Sequence, residues 1–161
     1  MTHLEQLQKR LLEIRYVRDD EREEYVDLMK KIHNLGKTER IFSVLCSGVV
    51  DESVDVNNDV IHSAWREYIE SFYNPHRELE YVNLIINNAD IFIPHAKIIL
   101  SYLIFRILNS DSTKKLFLKR ITKISSSSEK NYFILKKLFL EDLNTKEPHA
   151  LSKEVLSYFK E

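Results

Sequence analysis

Six histidines and a single cysteine are among the side chains of this sequence that could support catalysis or bind a metal ion. Disulfides and Cys-rich zinc sites need cysteines in sets, but Cys46 stands alone between Leu45 and Val49. We therefore interpret Cys46 as a small, buried apolar side chain. His76 and His95 fall near predicted helix N-termini, where the helix dipole disfavours a charged imidazole, and we expect them to have surface or capping roles.

The spacings that known catalytic and metal sites require are missing. A di-iron bundle uses Glu-x-x-His on facing helices, and the nearest match, Asp59 to His62, occurs once. Small helical ribonucleases of the HEPN type carry a histidine five or six residues after an arginine, whereas Arg66 and His76 are separated by a longer segment that contains Pro75. Phosphate loops, serine elbows and kinase signatures are also lacking. The sequence predicts no catalytic residue, no metal and no cofactor, and hence a protein that is not an enzyme.

Carboxylates dominate the middle of the chain. Residues 41–95 hold nine acidic and only two basic side chains. An acidic surface speeds and orients the approach of a basic partner and repels nucleic acid. We expect a partner-binding set with Tyr73 and Tyr81 as aromatic anchors, and Trp65, Tyr68 and Phe72 in the core. The carboxylates of that set are Asp51, Glu52, Asp55, Asp59, Glu67, Glu70 and Glu78.

The C-terminal third has the opposite charge. Residues 96–161 hold thirteen basic and seven acidic side chains. We predict that five basic residues lie along one face of the seventh helix: Lys114, Lys115, Lys119, Arg120 and Lys123. This set could contact phosphates, although it lacks a recognition-helix motif and lysines commonly extend from amphipathic helices. Nucleic-acid binding through this third is therefore an alternative to protein binding.

The elements that carry these residues are predicted to be helices. The sequence has 161 residues, which fits a single domain, and only two glycines and three prolines. Sheets and phosphate-binding α/β folds usually need more turn glycines. We predict an all-α fold of eight or nine short helices in antiparallel hairpins, either a HEAT-like stack or an irregular bundle around a central apolar helix.

Local signals place the helix ends. Thr2 and Glu5 form a capping box, Gly36 ends the second helix and Thr38 begins the third. Asp51 to Asn58 is predicted to be a loop, because it is rich in Asp and Asn. We expect the fifth helix to begin at Asn74-Pro75, the sixth to run from Pro94 to Leu108, and the last to run from Ala150 to Phe159.

Two helix pairs resemble each other in the order of their apolar residues. Residues 38–72 align with residues 77–108 at an offset of 39, and Trp65 and Ile69 then match Ile104 and Leu108. This offset is close to the period of HEAT-type repeats. Any two amphipathic helix pairs can be aligned in this way, so a true repeat and a chance match both remain open.

The longest apolar run, Ile91 to Leu108, is interrupted by Pro94, His95, Lys97 and Arg106. A membrane span needs about 20 mostly uncharged residues, so a buried core helix is the better interpretation. The N-terminal residues contain no apolar signal segment. We expect a cytoplasmic protein.

This profile resembles that of the small all-α immunity proteins that protect bacteria from toxins of neighbouring cells, including those of contact-dependent inhibition systems. The paired helices of residues 38–72 and 77–108 and the acidic set carry the resemblance. It implies a protein that occludes the active site of a basic, nuclease-type toxin. A helical scaffold or assembly subunit, with a homo-oligomer left open, is the alternative of another class.

Overall fold

The computed structural model describes residues 1–54, 59–124 and 129–159, and within these ranges the chain is all-α. The side chains at positions 53, 54, 59, 60 and 62 lie outside this description. Three short 3₁₀ turns accompany nine α-helices in the described part. The helices are α1 (His3–Ile14), α2 (Arg22–His33), α3 (Glu39–Ser47), α4 (Asp59–Glu70), α5 (Glu78–Asn87), α6 (Lys97–Leu108), α7 (Asp111–Ile124), α8 (Lys130–Leu143) and α9 (Ser152–Leu156). The predicted fold class is confirmed.

The predicted N-caps of α1 and α3 are confirmed, and α2 ends at His33, with Asn34 as its C-cap, shortly before Gly36. Thr2 N donates to Glu5 Oε2 at 2.7 Å, and Glu5 N donates back to Thr2 Oγ1 at 3.2 Å. Gly36 follows α2 with φ at +137°, a conformation that side chains with a Cβ rarely adopt. Thr38 Oγ1 accepts a hydrogen bond from Ile41 N at the start of α3. These signals are local, so the sequence displays them directly.

Two predicted helix starts are wrong. Asn74 Oδ1 accepts from His76 N at 2.9 Å, which closes a turn before the helix, and α5 begins only at Glu78. Pro94 lies ahead of α6, which begins at Lys97. The last helix is also shorter than expected, and residues 51–54 form a 3₁₀ turn where a loop was predicted.

The backbone contacts divide the chain into two compact units. Unit 1 comprises Met1–His76 and Ile91–Ile99, and unit 2 comprises Arg77–Asp90 and Leu100–Glu161. The expectation of a single domain stays a prediction. Within unit 1, α2 packs against α1, α3 and α4. Its core contains fully buried side chains from all four helices, among them Leu11, Tyr25, Met29, Phe42, Leu45, Trp65 and Ile69.

Unit 2 is built from α5, most of α6, and α7 to α9. Here α5 packs against α7, and α8 packs against α9. The buried side chains include Val82, Ile85, Leu103, Ile104, Phe117, Ile121, Leu135, Phe139 and Val155. Rings from three helices meet in this core, since Phe139 lies edge-on to both Phe105 and Phe117.

The order of elements recurs along the chain as the offset of 39 predicted. A helix, a 3₁₀ turn and a second helix begin at Glu39, Asp51 and Asp59 and again at Glu78, Ala89 and Lys97. Packing does not follow the same pattern, because α3 packs against α4 whereas α5 packs chiefly against α7. Within the described ranges, no helix combines the length and apolar character needed to cross a membrane.

Candidate protein interface

Two large apolar side chains in unit 1 point into solvent beside His95. Ile98 is 71% exposed and Tyr16 is 52% exposed. Tyr16 Oη lies 3.3 Å from His95 Nδ1, and the two rings stand almost perpendicular at 87°. Ile98 follows His95 by three residues, at the start of α6. We call Tyr16, His95 and Ile98 the Tyr16 patch.

Backbone interactions fix the position of this patch. Asp51 N donates to the His95 carbonyl at 2.9 Å. The Asp51 carboxylate accepts hydrogen bonds from Ile98 N at 3.1 Å and from Ile99 N at 3.2 Å. These amides belong to the first turn of α6 and have no partner within the helix, so Asp51 acts as its cap.

The turn that presents Tyr16 is strained. Val17, the next residue, has φ at +47°, which is an outlier for a β-branched side chain. Its side chain is buried, and its amide donates to the Ile14 carbonyl at 2.9 Å. Such strain costs about 1–3 kcal/mol and tends to occur where a side chain must be held in a particular direction. Here that side chain is Tyr16.

The patch has the composition of a protein-binding surface. The Arg15 guanidinium lies 5.6 Å from the centre of the Tyr16 ring. Tyrosine and arginine are enriched among the residues that dominate binding energy at protein interfaces, and an exposed isoleucine adds apolar area. Glu52, next to Asp51, is exposed and contributes a carboxylate at the edge.

Only some residues of the predicted acidic set belong to this surface. Asp51 and Glu52 belong to it, but the Asp51 carboxylate is occupied by the α6 amides. Asp55 and the side chain of Asp59 lie outside the described residues. On α4, Glu67 is exposed, while Glu70 is half-buried and pairs with Arg66 at 3.4 Å. Tyr73, just after α4, is exposed as predicted.

The other two predicted residues lie in unit 2, where Glu78 is half-buried and Tyr81 is buried. Glu78 accepts a hydrogen bond from Ser112 Oγ at 3.2 Å. Tyr81 is only 7% exposed, so its predicted role as an exposed interface anchor is wrong. The reason is helical spacing, since Tyr81 and the fully buried Ile85 lie four residues apart on one face of α5.

The residues predicted to be core behave as two groups. Trp65 is buried, as expected. Tyr68 and Phe72 are half-buried, and both rings lie against His33. Cys46 is buried as predicted, and burial raises the pKa of its thiol well above the ordinary value. In the ranges that the structure describes, no group of three or more His, Cys, Asp or Glu side chains could hold a metal ion.

The predicted basic face of α7 is smaller than expected. Lys115, Lys119 and Lys123 are exposed and spaced four residues apart, so they share one face. Lys114 pairs with Glu154 of α9 at 3.0 Å, and Arg120 Nη2 lies 3.4 Å from Asn87 Oδ1 after α5. The prediction that all five residues share one face is therefore wrong.

One helix of unit 2 has apolar side chains on two faces. The buried face of α8 carries Leu135 and Phe139, whereas Phe133 is 59% exposed and Leu140 and Leu143 are also exposed. Phe133 and Leu140 lie seven residues apart and so point the same way. This exposed stripe was not predicted.

Sequence reasoning also missed Tyr16 and Ile98. Tyr16 follows directly after the predicted first helix, in a turn that shows no glycine or proline. Ile98 lies within the longest apolar run, and the run itself contains no signal that one of its members faces solvent.

Comparison of the chain with protein-family models, curated proteins and solved structures gives no match.

Proposed function

We propose that this chain is a non-enzymatic, cytoplasmic protein-binding protein that acts as a bacterial immunity protein against a basic, nuclease-type toxin. The observation that supports protein binding is the Tyr16 patch, an exposed tyrosine and isoleucine held in place by the cap at Asp51. The charge of unit 1 supports a basic partner, because it holds fifteen acidic and eleven basic residues.

The mechanism would be steric and electrostatic. Tyr16 and Ile98 would insert into the toxin surface, and carboxylates of unit 1 such as Glu52 and Glu67 would pair with lysines and arginines that normally hold phosphate. Occupation of those cationic groups would block the substrate, so the inhibitor would need no reactive group of its own.

The test is capture of the partner from source cells with the full chain as bait. We expect wild type to retain one basic protein and Tyr16→Ala/Ile98→Ser to lose it. Leu79→Ser is the matched control, because Leu79 is an exposed apolar residue of unit 2. The captured protein, expressed alone, should arrest growth, and co-expression of this chain should restore it. Equal capture by the double variant would show that the patch is not the interface, and a captured protein without toxicity would exclude the immunity role.

Charge reversal tests the electrostatic part with the same partner. Glu67→Lys/Glu70→Lys should slow association more than about tenfold at low salt, and the difference should shrink at about 0.5 M salt, where surface charges are screened. An association rate that does not change would exclude acidic steering by α4 while leaving the patch in place.

Two other functions are each favoured by one observation in unit 2. The exposed face of Lys115, Lys119 and Lys123 favours contact with the phosphates of a nucleic acid. The exposed apolar stripe of α8 favours an assembly subunit, because exposed apolar patches mark interaction surfaces.

A further inference from the structure

Three polar side chains meet at the ends of α2 and α4 in unit 1. His33 is the last residue of α2, Ser71 follows α4, and Lys37 lies between α2 and α3. Lys37 Nζ is 2.6 Å from His33 Nε2, and His33 Nε2 is 2.8 Å from Ser71 Oγ. Lys37 Nζ also contacts Ser71 Oγ. We call these residues the Lys37 cluster.

Aromatic rings pack against the Lys37 cluster. Lys37 Nζ lies 4.6 Å from the centre of the Phe72 ring. The His33 ring packs against Tyr68 at 5.0 Å and against Phe72 at 6.4 Å. The rings cover one side of the amine and of the imidazole, and the side chains of Lys37 and Ser71 are otherwise exposed.

The surroundings of Lys37 differ from those of the ion-paired lysines. Lys31 Nζ lies 2.7 Å from Asp27, and Lys114, Lys130 and Lys137 also pair with carboxylates. A carboxylate stabilises the ammonium form, in which nitrogen has no lone pair to react. Lys37 instead contacts an imidazole and a hydroxyl. The imidazole can accept a proton from the amine, which a carboxylate does far less well at neutral pH.

Burial and nearby charges also favour the neutral forms of Lys37 and His33. Burial lowers the pKa of the Lys37 ammonium, which increases the fraction of neutral amine at a given pH. Burial, followed by the charge of Lys37, lowers the pKa of His33. Asn34 and the carboxylate of Glu67 on α4 act on His33 in the opposite sense, but the net direction is downward. The lowered pKa favours the neutral imidazole, which is the form that can accept a proton.

We propose that Lys37 is an acylation site, whose amine takes an acyl group from an activated donor of the acyl-thioester class with His33 as the base. The lone pair of Nζ attacks the thioester carbonyl carbon and a C–N bond forms. The C–S bond breaks and the thiolate leaves with the electron pair. The proton released from Nζ passes to His33 Nε2, and the product is a neutral amide. Acylation removes one positive charge from unit 1, which already holds more acidic than basic residues.

The experiment treats the full chain with acetyl coenzyme A at pH 8 and follows acetylation of each lysine by peptide mass spectrometry. Lys31 is the control within the same molecule, because it is an exposed helical lysine paired with a carboxylate. A lowered ammonium pKa increases the neutral, reactive fraction of Lys37 at pH 8, and weaker nucleophilicity offsets part of this gain, so we expect Lys37 to react at least about threefold faster than Lys31.

Two variants and a pH series separate the parts of the proposal. His33→Gln keeps a polar side chain but removes the base, and it should lower the Lys37/Lys31 rate ratio, while the part of the ratio that comes from burial of Lys37 remains. Ser71→Ala should reduce the ratio less, because the base remains. In wild type, the ratio should fall from pH 7 to pH 10 as Lys31 loses its proton too. The pH series uses the wild-type protein, so it still tests the reactivity of Lys37 if His33→Gln does not fold. Equal rates for Lys37 and Lys31, or a ratio that does not depend on pH, would overturn the proposal.

Discussion

Asp51 shows how one carboxylate can look like a binding residue in the sequence and serve as a cap in the structure. Its two oxygens accept the amides of Ile98 and Ile99, and its own amide donates to the His95 carbonyl. These three bonds connect the 3₁₀ turn after α3 to the start of α6 across more than forty residues of chain. Asp51 therefore positions the Tyr16 patch, and Glu52 is the carboxylate that remains available to a partner.

Asp51→Ala should lower the free energy of unfolding by about 1–2 kcal/mol, because two first-turn amides of α6 lose a charged acceptor. Glu52→Ala is the matched control. It removes an exposed carboxylate of the neighbouring residue and should change stability by less than about 0.5 kcal/mol. Urea unfolding followed by circular dichroism measures both. Equal losses for the two variants would show that Asp51 is not a cap.

For single residues, the sequence predicts hydrogen bonds between near neighbours well and those between distant residues poorly. Thr2 and Glu5 are three residues apart, and their reciprocal bonds follow from the sequence alone. The cap of α6 comes from Asp51, and no pattern near Pro94 points to it. Tyr81 was expected at the surface because it lies in an acidic stretch, yet its helical position relative to Ile85 determines its burial. Cys46 and Trp65 could be predicted from their apolar neighbours.

Among the elements of unit 1, α1 lies very close to the end of α3. Gly48 follows α3 with an ordinary φ, so its backbone does not require glycine. A Cβ at this position would lie 2.3 Å from Leu11 Cδ2 and 2.6 Å from Leu11 Cγ. Leu11 is fully buried, so a shift of its side chain would disturb the packing around it. Glycine is needed here because it lets α1 pack directly against the turn.

Gly48→Ala should therefore destabilise the protein by about 1–3 kcal/mol through overpacking against Leu11. A double-mutant cycle with Leu11→Ala identifies the cause. Leu11→Ala alone should cost about 2–5 kcal/mol, and in that background Gly48→Ala should cost much less, because the methyl group then fills the space that the leucine vacated. Additive losses in thermal or urea unfolding would contradict this contact as the cause.

The helices themselves could be predicted, because their apolar periodicity and the shortage of glycine are properties of the chain. Their packing could not. The offset of 39 predicts that α3 and α4 recur as α5 and α6, and the elements do recur. The choice of α7 as the main neighbour of α5 depends on which buried faces fit together, and residue class alone does not encode that fit.

Charge is separated between the two units of the molecule. Unit 1 holds four more acidic than basic residues, whereas unit 2 holds thirteen basic and ten acidic residues. The net charge of −1 for the whole chain conceals this difference. Sequence blocks predicted its sign, but the exposed lysine face on α7 is limited to Lys115, Lys119 and Lys123, because Lys114 and Arg120 contact α9 and the end of α5.

A gel-shift assay tests whether unit 2 binds nucleic acid. If immunity is the function, the full chain should shift neither random DNA nor random RNA at about 150 mM salt, where weak phosphate contacts are largely screened. A shift that is lost in Lys115→Glu/Lys119→Glu/Lys123→Glu and kept in Lys31→Glu would support the nucleic-acid alternative and argue against the immunity proposal. Lys31 serves as the control because it is an exposed lysine of unit 1.

The single cysteine can be used to measure local unfolding of unit 1. Cys46 lies in the core of unit 1, and burial keeps its thiol both covered and protonated. A thiol reagent can reach it only when α3 separates from its neighbours, so the labelling rate measures how often unit 1 opens. Because the chain has no other cysteine, one modified mass identifies each such event. A bound partner that closes over unit 1 would lengthen the labelling half-time without any engineered probe.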